Sequence, residues 1–399
     1  MDVIRQIKAF NAGRDPERLL LKYQKMRSSQ FGFLRATCHL FYDHLPRSGL
    51  FKSAPLTWIC GDLHLENFGS YKGNNRLAYF DLNDFDEAAL APASWELVRM
   101  LTSLLVGAES LSIRRSEAHA LCVIFLNSYA STLAGGKAYW IEGETAQGMI
   151  RHLLTELTNR KRVDFLKTRT LMKDKKRVLR VEGKRALPAS DEQRKSVTEF
   201  MARFAKTQSQ PEFFKVLDVA RRVAGTGSLG VDRYAILVYG KGSPDGHYLL
   251  DLKRALESSV AHHLPVLQPK WRSEARRVVE VQHRMQAVSV ALLQPVRFDG
   301  GSYVLRELQP LGDRVSLDRT HQTLEQLEIV VKNMGQMLAW AQLRSAGRQG
   351  SAIADDLITW GLRKKWKAKL LTVAQSCAAQ THADAASFNA SYDAGEFDA

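Results

Sequence analysis

The sequence contains few cysteines and no long apolar run, and these absences narrow the class of protein. Its four cysteines lie far apart and form no Cys-x-x-Cys pair, which argues against a disulfide scaffold and a cysteine zinc site. No apolar run approaches the roughly 18 residues of a membrane span, and the mixed-charge segment Met1–Lys8 lacks the apolar core of a signal peptide. We therefore expect a cytoplasmic protein without a membrane span.

Acidic residues are outnumbered by basic ones, which gives the chain a formal net charge of +15. Such a charge favours anionic partners, such as nucleotides, phosphorylated substrates, nucleic acid or acidic lipid, without choosing among them. With 399 residues and a hydrophobic content of 45%, the chain can bury a large core in two or three structural units.

Two short acidic segments near the start of the chain carry the sharpest chemical signal. The first, Gly61–Gly69, contains Asp62 and Asn67, and the second, Phe80–Asp86, contains Asp81 and Asp84. Each follows a predicted strand, over residues 57–60 and 76–80. In phosphate transfer, one carboxylate orients the nucleophile while an amide and a second carboxylate coordinate magnesium. The spacing of these residues fits that division of roles.

Two other interpretations of the first segment are open at this point. Its Asp and Asn side chains could cap neighbouring backbone in a turn, but so many acidic residues within 25 positions would be costly to hold together without a cation. Asp62-x-His64 also resembles the opening of the metallophosphoesterases, although the Gly-Asp-x-x-Asp-Arg and Gly-Asn-His segments of that family are missing. We expect His64 to be a hydrogen-bonded loop residue rather than a ligand.

A glycine-rich segment occurs much later, with Gly225, Gly227, Ser228 and Gly230. In a dinucleotide-binding fold such a segment closes a strand and opens a helix, whereas in a kinase it joins two antiparallel strands and covers nucleotide phosphates. Strand-like residues 234–239 follow here, which favours the second context over the first. A flexible hairpin turn is the simpler alternative.

Lys253 ends a second apolar strand, over residues 248–253, and could reach phosphates held under the glycine segment. A kinase-like site also needs a helical glutamate to pair with this lysine. We choose Glu280 for that role, with Glu274 as the second choice.

Periodicity and composition predict the remaining organisation. Apolar spacing predicts helices over 15–45, 92–133, 272–293, 317–343 and 353–379, and strands over 291–298 and 302–308. The Ala/Ser/Asp-rich tail after His382 is expected to fray. Basic residues cluster between 159 and 185, which predicts a solvated face or loop, or else contact with an anionic substrate or nucleic acid.

The acidic segments resemble the catalytic loop and metal-binding segment of aminoglycoside and other small-molecule phosphotransferases of the protein-kinase-like superfamily. More of the chain is similar to a bacterial family catalogued as domain of unknown function 2252. The similar segments are Phe31–Arg35, Cys60–Asp62, Asn67–Gly69, Phe80–Glu87, Gly225–Gly230 and Arg277–Glu280.

The resemblance implies a role for each candidate residue. Asp62 would be the catalytic base, Asn67 and Asp81 the magnesium ligands, and Asp84 a further ligand or support. Lys253 would hold the phosphates of ATP beneath the glycine loop, and Glu280 would pair with it. Two departures are Cys60, where many phosphotransferases have histidine, and Asp232, where the glycine loop usually has valine.

The order of these motifs differs from that of an ordinary kinase, because the catalytic loop precedes the glycine loop. A circular permutation would restore the order, since domain termini often lie close together. The resemblance thus implies an α+β, protein-kinase-like fold of two lobes. Residues 1–212 carry the catalytic loop, the metal site and the basic insertion near 159–185; residues 213–312 form an antiparallel small lobe that binds nucleotide; and residues 313–399 complete the helical large lobe.

The sequence therefore predicts an ATP- and Mg²⁺-dependent phosphotransferase that acts on an unidentified hydroxyl acceptor, expected to be a small molecule. Nucleotidyl transfer on the same fold is one alternative. A non-catalytic protein that binds nucleic acid or another anion is a second, although such a binder would have no need of the acidic cluster.

Overall fold

The computed structural model describes residues 2–183, 185–242, 245–264, 266–309 and 323–397. Half of the chain is helical and 17% lies in strands, with several small antiparallel sheets, which confirms the predicted α+β class. The predicted boundary at 312/313 and the expected helix start at Leu317 lie outside the described residues.

The helices are numbered along the chain. They are α1 (Val3–Asn11), α2 (Pro16–Ser28), α3 (Gln30–Ala36), α4 (Cys38–Asp43), α5 (Leu50–Ser53), α6 (Ala93–Val106), α7 (Arg115–Gly135), α8 (Gly148–Asn159), α9 (Arg162–Arg169), α10 (Asp191–Ala205), α11 (Glu274–Met285), α12 (Leu324–Arg344), α13 (Ala354–Leu362) and α14 (Trp366–Asp393).

The strands are numbered in the same way. They are β1 (Leu56–Ile59), β2 (Phe68–Lys72), β3 (Ala78–Leu82), β4 (Ala89–Pro92), β5 (Ile141–Glu142), β6 (Thr170–Lys173), β7 (Lys176–Leu179), β8 (Ala186–Pro188), β9 (Val216–Arg222), β10 (Arg233–Val238), β11 (Tyr248–Arg254), β12 (Gln294–Phe298) and β13 (Gly301–Glu307).

Six strands form one antiparallel sheet in the order β12-β13-β11-β10-β9-β8. Side chains alternate between the two faces of a strand, so Leu250 and Leu252 enter an aromatic-rich core on one face. Leu249, Asp251 and Lys253 lie on the opposite face, where Leu249 belongs to a smaller apolar cluster. This second face, called the cleft face below, carries the predicted phosphate lysine.

Helices from distant parts of the chain share the largest hydrophobic core, which unites α6 and α7 with α12, α13 and α14. The α7–α12 contact is close at Gly335, where a Cβ atom would lie 2.6 Å from the Phe125 carbonyl oxygen. Among the described residues, α7 alone is long and apolar enough to cross a membrane, and half of its most apolar window is buried. Because it packs against α12 and α13, α7 behaves as a core helix of a globular protein.

Each of the two acidic segments begins at or near the end of a short strand, and these strands pack beside this helical core. β1 pairs with β4, and β2 pairs with β3, which also pairs with β5. The strand predicted over residues 76–80 is β3, which runs from Ala78 to Leu82 and so continues two residues beyond its predicted end at Phe80. Asp81 is therefore still inside the strand, whereas Asp84 follows it.

The chain ends lie beside each other. Ile7 of α1 and Phe388 of α14 share a hydrophobic cluster, and Arg27 pairs with Asp393 at 2.8 Å. The expected fraying after His382 is wrong, because α14 continues to Asp393 and buries Phe388 completely. Apolar contacts with α1 and α3 offset the weak apolar pattern of this tail.

The basic segment 159–185 has regular structure. It forms α9 and a hairpin of β6 and β7, whose tip at Asp174 and Lys175 has positive φ. Lys184 lies outside the described residues. The hairpin packs toward β9 on the cleft face of the sheet.

Candidate active site

One pocket brings the acidic segments and the glycine loop together. It lies between the six-stranded sheet and the start of the helical part of the chain. Its lining includes Asp62, Asn67 and Asp84 from the acidic segments and Gly225, Gly227, Ser228 and Lys253 from the sheet. Residues that are about 140 positions apart in the sequence thus face one cavity.

The glycine loop joins antiparallel strands β9 and β10, as the sequence predicts. Gly225 and Gly230 have φ values of +76° and +86°, which side chains with a Cβ rarely adopt. Gly227 approaches the helical part closely, since a Cβ there would lie 3.0 Å from the Arg35 carbonyl oxygen. Gly230 does not line the pocket; its carbonyl accepts a hydrogen bond from the backbone N–H of Asp15 at 2.9 Å.

The N-terminal helices hold the glycine loop through its carbonyl groups. Arg14 Nη1 and the buried Lys22 Nζ both donate to the Gly227 oxygen, at 2.8 and 3.0 Å. Burial holds the pKa of Lys22 well below its usual range, and the positive charge of Arg14 lowers it further. Phe10 packs under both cations, 4.7 Å from the Arg14 guanidinium carbon. No local pattern predicts this contact, because Lys22 of α2 and Gly227 lie 205 positions apart.

Lys253 projects into the pocket from β11 and is almost fully buried. Its Nζ pairs with the carboxylate of Asp86, in the second acidic segment. The expected pairing with Glu280 is wrong: Glu280 is partly exposed on α11 and pairs with Arg276 one turn away, at 2.8 Å. Glu274, the second choice, pairs with Arg277 at 2.7 Å.

Arg277, which was not predicted as a site residue, connects α11 to the second acidic segment. Its Nη1 donates to the Ala88 carbonyl at 2.6 Å and its Nη2 to the Asp86 carbonyl at 2.9 Å. No local pattern in the sequence indicated this contact, because Arg277 lies about 190 positions from the backbone groups that it contacts.

Asp62 lies at the turn after β1, and the residue before it has a backbone conformation that requires glycine. Gly61 has a φ of +82°, and a Cβ there would lie 2.1 Å from the Glu87 carbonyl oxygen. The Asp62 Oδ1 atom accepts from Arg99 Nε and Nη2, at 3.1 and 2.6 Å. Burial raises the pKa of Asp62, and the charge of Arg99 opposes that shift.

Asn67 and Asp84 both line the pocket, where the Asn67 side chain contacts the Asp84 backbone. Asn67 Nδ2 donates to the carbonyls of Asp62 and Asp84, both at 3.3 Å. The buried Asn67 Oδ1 atom has no hydrogen-bond partner within the described part of the chain. Burial raises the pKa of Asp84, but the nearby Lys253 and Arg306 outweigh this and hold it below its ordinary value. Asp84 is thus kept in its ionised form.

Asp81 is buried away from this pocket, so its assignment beside Asn67 as a metal ligand is wrong. Its Oδ1 accepts from the Leu82 N–H at 2.9 Å and its Oδ2 from the Ala287 N–H at 3.1 Å. Arg344 Nη2 lies 3.4 Å from the same Oδ2. Asp81 therefore ties β3 to the chain around α11 and α12, and Asp84 is the first carboxylate past the strand end.

No group of three or more His, Cys, Asp or Glu side chains in the described ranges is arranged to hold a metal ion. Magnesium at nucleotide sites, however, is usually held by one or two protein ligands together with phosphate oxygens. The Asn67 Oδ1 atom, which has no partner among the described residues, and the ionised Asp84 are oxygen ligands of the kind that such a smaller set needs. Metal binding here would therefore depend on nucleotide.

His64 behaves as expected for a loop residue, because its Nδ1 accepts from the Glu66 N–H at 3.1 Å. Two further glutamates, the buried Glu96 and the partly exposed Glu87, were not foreseen. Glu96 accepts from the backbone N–H groups of Cys60 and Gly61, at 2.5 and 3.3 Å, and burial raises its pKa to about 8. Glu87 accepts from the Ser259 N–H at 2.6 Å. Both shape the turn that presents Asp62.

Comparison with known proteins identifies one family. A family model described as an uncharacterized protein conserved in bacteria (DUF2252) matches residues 14–391. No curated protein and no solved structure matches the chain. The matched range includes both acidic segments, the glycine loop and α11.

Proposed function

The chain belongs to this DUF2252 family, and we propose that it is an ATP- and Mg²⁺-dependent phosphotransferase with a circularly permuted, kinase-like arrangement. The observation that carries the proposal is the shared pocket. Asp62, Asn67 and Asp84 face the same cavity as the glycine loop and Lys253. A turn that merely capped backbone would not need a lysine and a glycine loop opposite it.

The order of elements in the six-stranded sheet supports the proposal. In a kinase the glycine loop joins the first two strands, the phosphate-binding lysine lies on the third, and a helix follows. Here the loop joins β9 and β10, Lys253 lies on β11, and α11 comes next. The contact of α1 with α14 supports a permutation, since chain ends that touch can be exchanged for a loop.

Each predicted site residue that lines the pocket has a role in this proposal. Lys253 binds phosphate oxygens, while Asn67 Oδ1 and the Asp84 carboxylate hold Mg²⁺, which when bound neutralises the charge of the phosphates. Asp62 orients the acceptor hydroxyl and takes its proton through Oδ2. This oxygen has no hydrogen bond among the described residues, whereas Arg99 occupies Oδ1. The glycine loop donates backbone N–H groups to the phosphates.

Nucleotide binding requires this pocket to open. Its enclosed volume is about 100 Å³, below the roughly 300 Å³ at which small-molecule pockets begin. The Lys253–Asp86 pair also occupies part of the phosphate position. Phosphates would replace Asp86 as the anionic partner of Lys253, and the glycine loop would move away from Phe10 and Arg35.

We propose a small-molecule hydroxyl as the acceptor, and the cytoplasm as the location. The four cysteines are all free and buried, as in proteins of reducing compartments. The net charge of +15 suits anionic substrates such as ATP and phosphorylated compounds.

Labelled ATP tests the proposal. The full chain with Mg²⁺ and a panel of small hydroxyl compounds should transfer γ-phosphate from γ-labelled ATP, and Asp62→Asn should abolish the transfer. The matched control is Asp174→Asn, at the exposed hairpin tip, where Asn tolerates the positive φ. A parallel assay uses ATP labelled at the α-phosphate, and transfer of that label would indicate nucleotidyl transfer instead. Nucleotide binding without transfer of either label would indicate a non-catalytic binder, and failure to bind nucleotide would overturn the proposal.

A further inference from the structure

A second cavity lies on the cleft face of the six-stranded sheet, beneath the basic segment. Its volume is about 290 Å³, near the roughly 300 Å³ lower bound of small-molecule pockets. Its floor is apolar and consists of Ala235 on β10, Leu249 on β11 and Leu308 just after β13. None of its lining residues lines the pocket that holds Asp62 and Lys253.

The walls of this cavity are strongly basic. Arg169, Arg180, Arg185 and Arg222 line it, against one carboxylate, Glu182, among the described residues. Glu182 is already paired with Arg180, at 3.0 Å. The described lining therefore presents four guanidinium groups and one carboxylate over an apolar floor.

Arg222 is the buried member of this set, with a side chain only 7% exposed. It shares the single carboxylate of Asp251 with two other guanidinium groups, those of Arg233 and Arg306. The Nη1 atom of Arg222 lies 2.6 Å from Asp251 Oδ2, and its Nη2 atom donates to the Gln309 carbonyl at 3.3 Å. Burial lowers the pKa of Arg222 to about 9, so the site stabilises its charge incompletely. Three guanidinium groups share this one carboxylate, and the positive charge that remains favours an external anion.

We propose that this cavity binds a small phosphomonoester, at a site separate from the nucleotide pocket. The phosphate contacts Arg222 and Arg185, because guanidinium groups bind phosphate oxygens in pairs. The organic part of the ligand lies on the floor formed by Ala235, Leu249 and Leu308. This assigns the basic segment a ligand, and it does not depend on the chain being a phosphotransferase.

Calorimetry with ribose 5-phosphate and inorganic phosphate as probes tests the proposal on the full chain. Arg185→Glu reverses an exposed charge of the wall, and Ala235→Leu fills the floor without changing charge. Each should weaken ribose 5-phosphate binding by at least about tenfold. Thermal unfolding of each variant establishes that it folds.

Two control variants make the test specific. Lys173→Glu lies on β6 in the same basic segment but outside the cavity lining, and Lys253→Met alters the nucleotide pocket. Both should bind ribose 5-phosphate within about twofold of the wild type. Inorganic phosphate that binds with the same dependence on Arg185 would show that the phosphate group is what the site recognises. The proposal is overturned if neither probe binds at millimolar concentration, or if Lys173→Glu or Lys253→Met weakens binding as much as Arg185→Glu.

Discussion

Arg99 holds Asp62 through one carboxylate oxygen and leaves the other toward the pocket. Both Nε and Nη2 of Arg99 contact Oδ1, and the Arg99 side chain is completely buried while that of Asp62 is 21% exposed. Arg99 Nη2 also donates to the Leu34 carbonyl at 2.7 Å, which fixes the guanidinium in place. Asp62 is thus oriented before any substrate binds, as a general base must be.

Replacing Asp62 with asparagine should separate turnover from binding. We expect kcat for γ-phosphate transfer to fall by about 10²–10⁴-fold, because the group that takes the acceptor proton is lost. The dissociation constant for Mg²⁺–nucleotide should stay within about twofold, since Lys253 and Asp84 remain. Rapid-quench kinetics and calorimetry measure the two quantities. Unchanged kcat would remove Asp62 from the reaction.

Asp84 and Asp81 make a matched pair of aspartates for testing the metal assignment. Asp84→Asn should weaken Mg²⁺-dependent nucleotide binding by at least about tenfold, because it removes a charged ligand from the pocket. Asp81→Asn should lower the thermal unfolding temperature, because Asp81 pairs with Arg344 inside the fold, and should leave magnesium dependence unchanged. Magnesium titrations of nucleotide binding distinguish the two. The reverse pattern would restore Asp81 as the ligand.

Lys253 should be required for nucleotide affinity, and Glu280 should be dispensable. Lys253→Met should weaken binding of an ATP analogue by at least about tenfold, because a charge-assisted contact to phosphate is lost. Glu280→Gln removes only a partly exposed pair with Arg276, so affinity should change by less than about twofold. Fluorescence titration with the analogue measures both. A large loss in Glu280→Gln would mean that the helix glutamate reaches Lys253 when nucleotide binds.

Glu96 should make stability depend on pH. Its pKa is raised to about 8 in the folded chain, so between the ordinary glutamate pKa and pH 8 the folded state keeps a proton that the unfolded state releases. The contribution of Glu96 is therefore fully present below that ordinary pKa, and the free energy of unfolding should fall as pH rises toward 8, by up to about 5 kcal/mol.

The variant Glu96→Gln tests this assignment. It keeps an oxygen that can accept from the Cys60 N–H, and it has no proton to lose. Denaturant unfolding at several pH values should show a flatter profile than the wild type between pH 5 and 8. Identical slopes for the two proteins would contradict the raised pKa.

The sequence predicted the parts of the fold that depend on local pattern. The strands at 57–60, 234–239 and 248–253 follow from apolar runs bounded by turns, and each lies within a residue or so of its observed position. The helices over 92–133 and 353–379 were foreseen as single elements because apolar spacing continues through the breaks that divide them. The fraying predicted after His382 was wrong because a tail of small residues can still be buried by a distant helix, here α1.

Candidate site residues were predictable where the spacing of residues in a motif indicates their chemistry. Asp62, Asn67, Asp84 and Lys253 were identified from motifs, and the structure brings them to one pocket. The partners of Lys253 and Asp62 were not foreseen, because Asp86 lies 167 positions from Lys253 and Arg99 lies 37 positions from Asp62. Such contacts are set by how distant segments of the chain pack together, which no local pattern specifies.

Asp81 shows how a small boundary error moves a functional assignment. Two further residues in β3 keep Asp81 within the strand, and its carboxylate then meets Arg344 instead of the pocket. Strand ends are poorly marked by propensity, because the residues after Phe80 continue an alternating pattern. The pattern thus located the acidic segment, but it did not show which of its carboxylates faces the pocket.

A structure with Mn²⁺ and a non-hydrolysable ATP analogue tests the central claim most directly. The account predicts an anomalous scattering peak for manganese within ligand distance of Asn67 Oδ1 and an Asp84 oxygen, with the analogue phosphates between Lys253 and the glycine loop. Manganese beside Asp81, or an analogue bound outside this pocket, would contradict it.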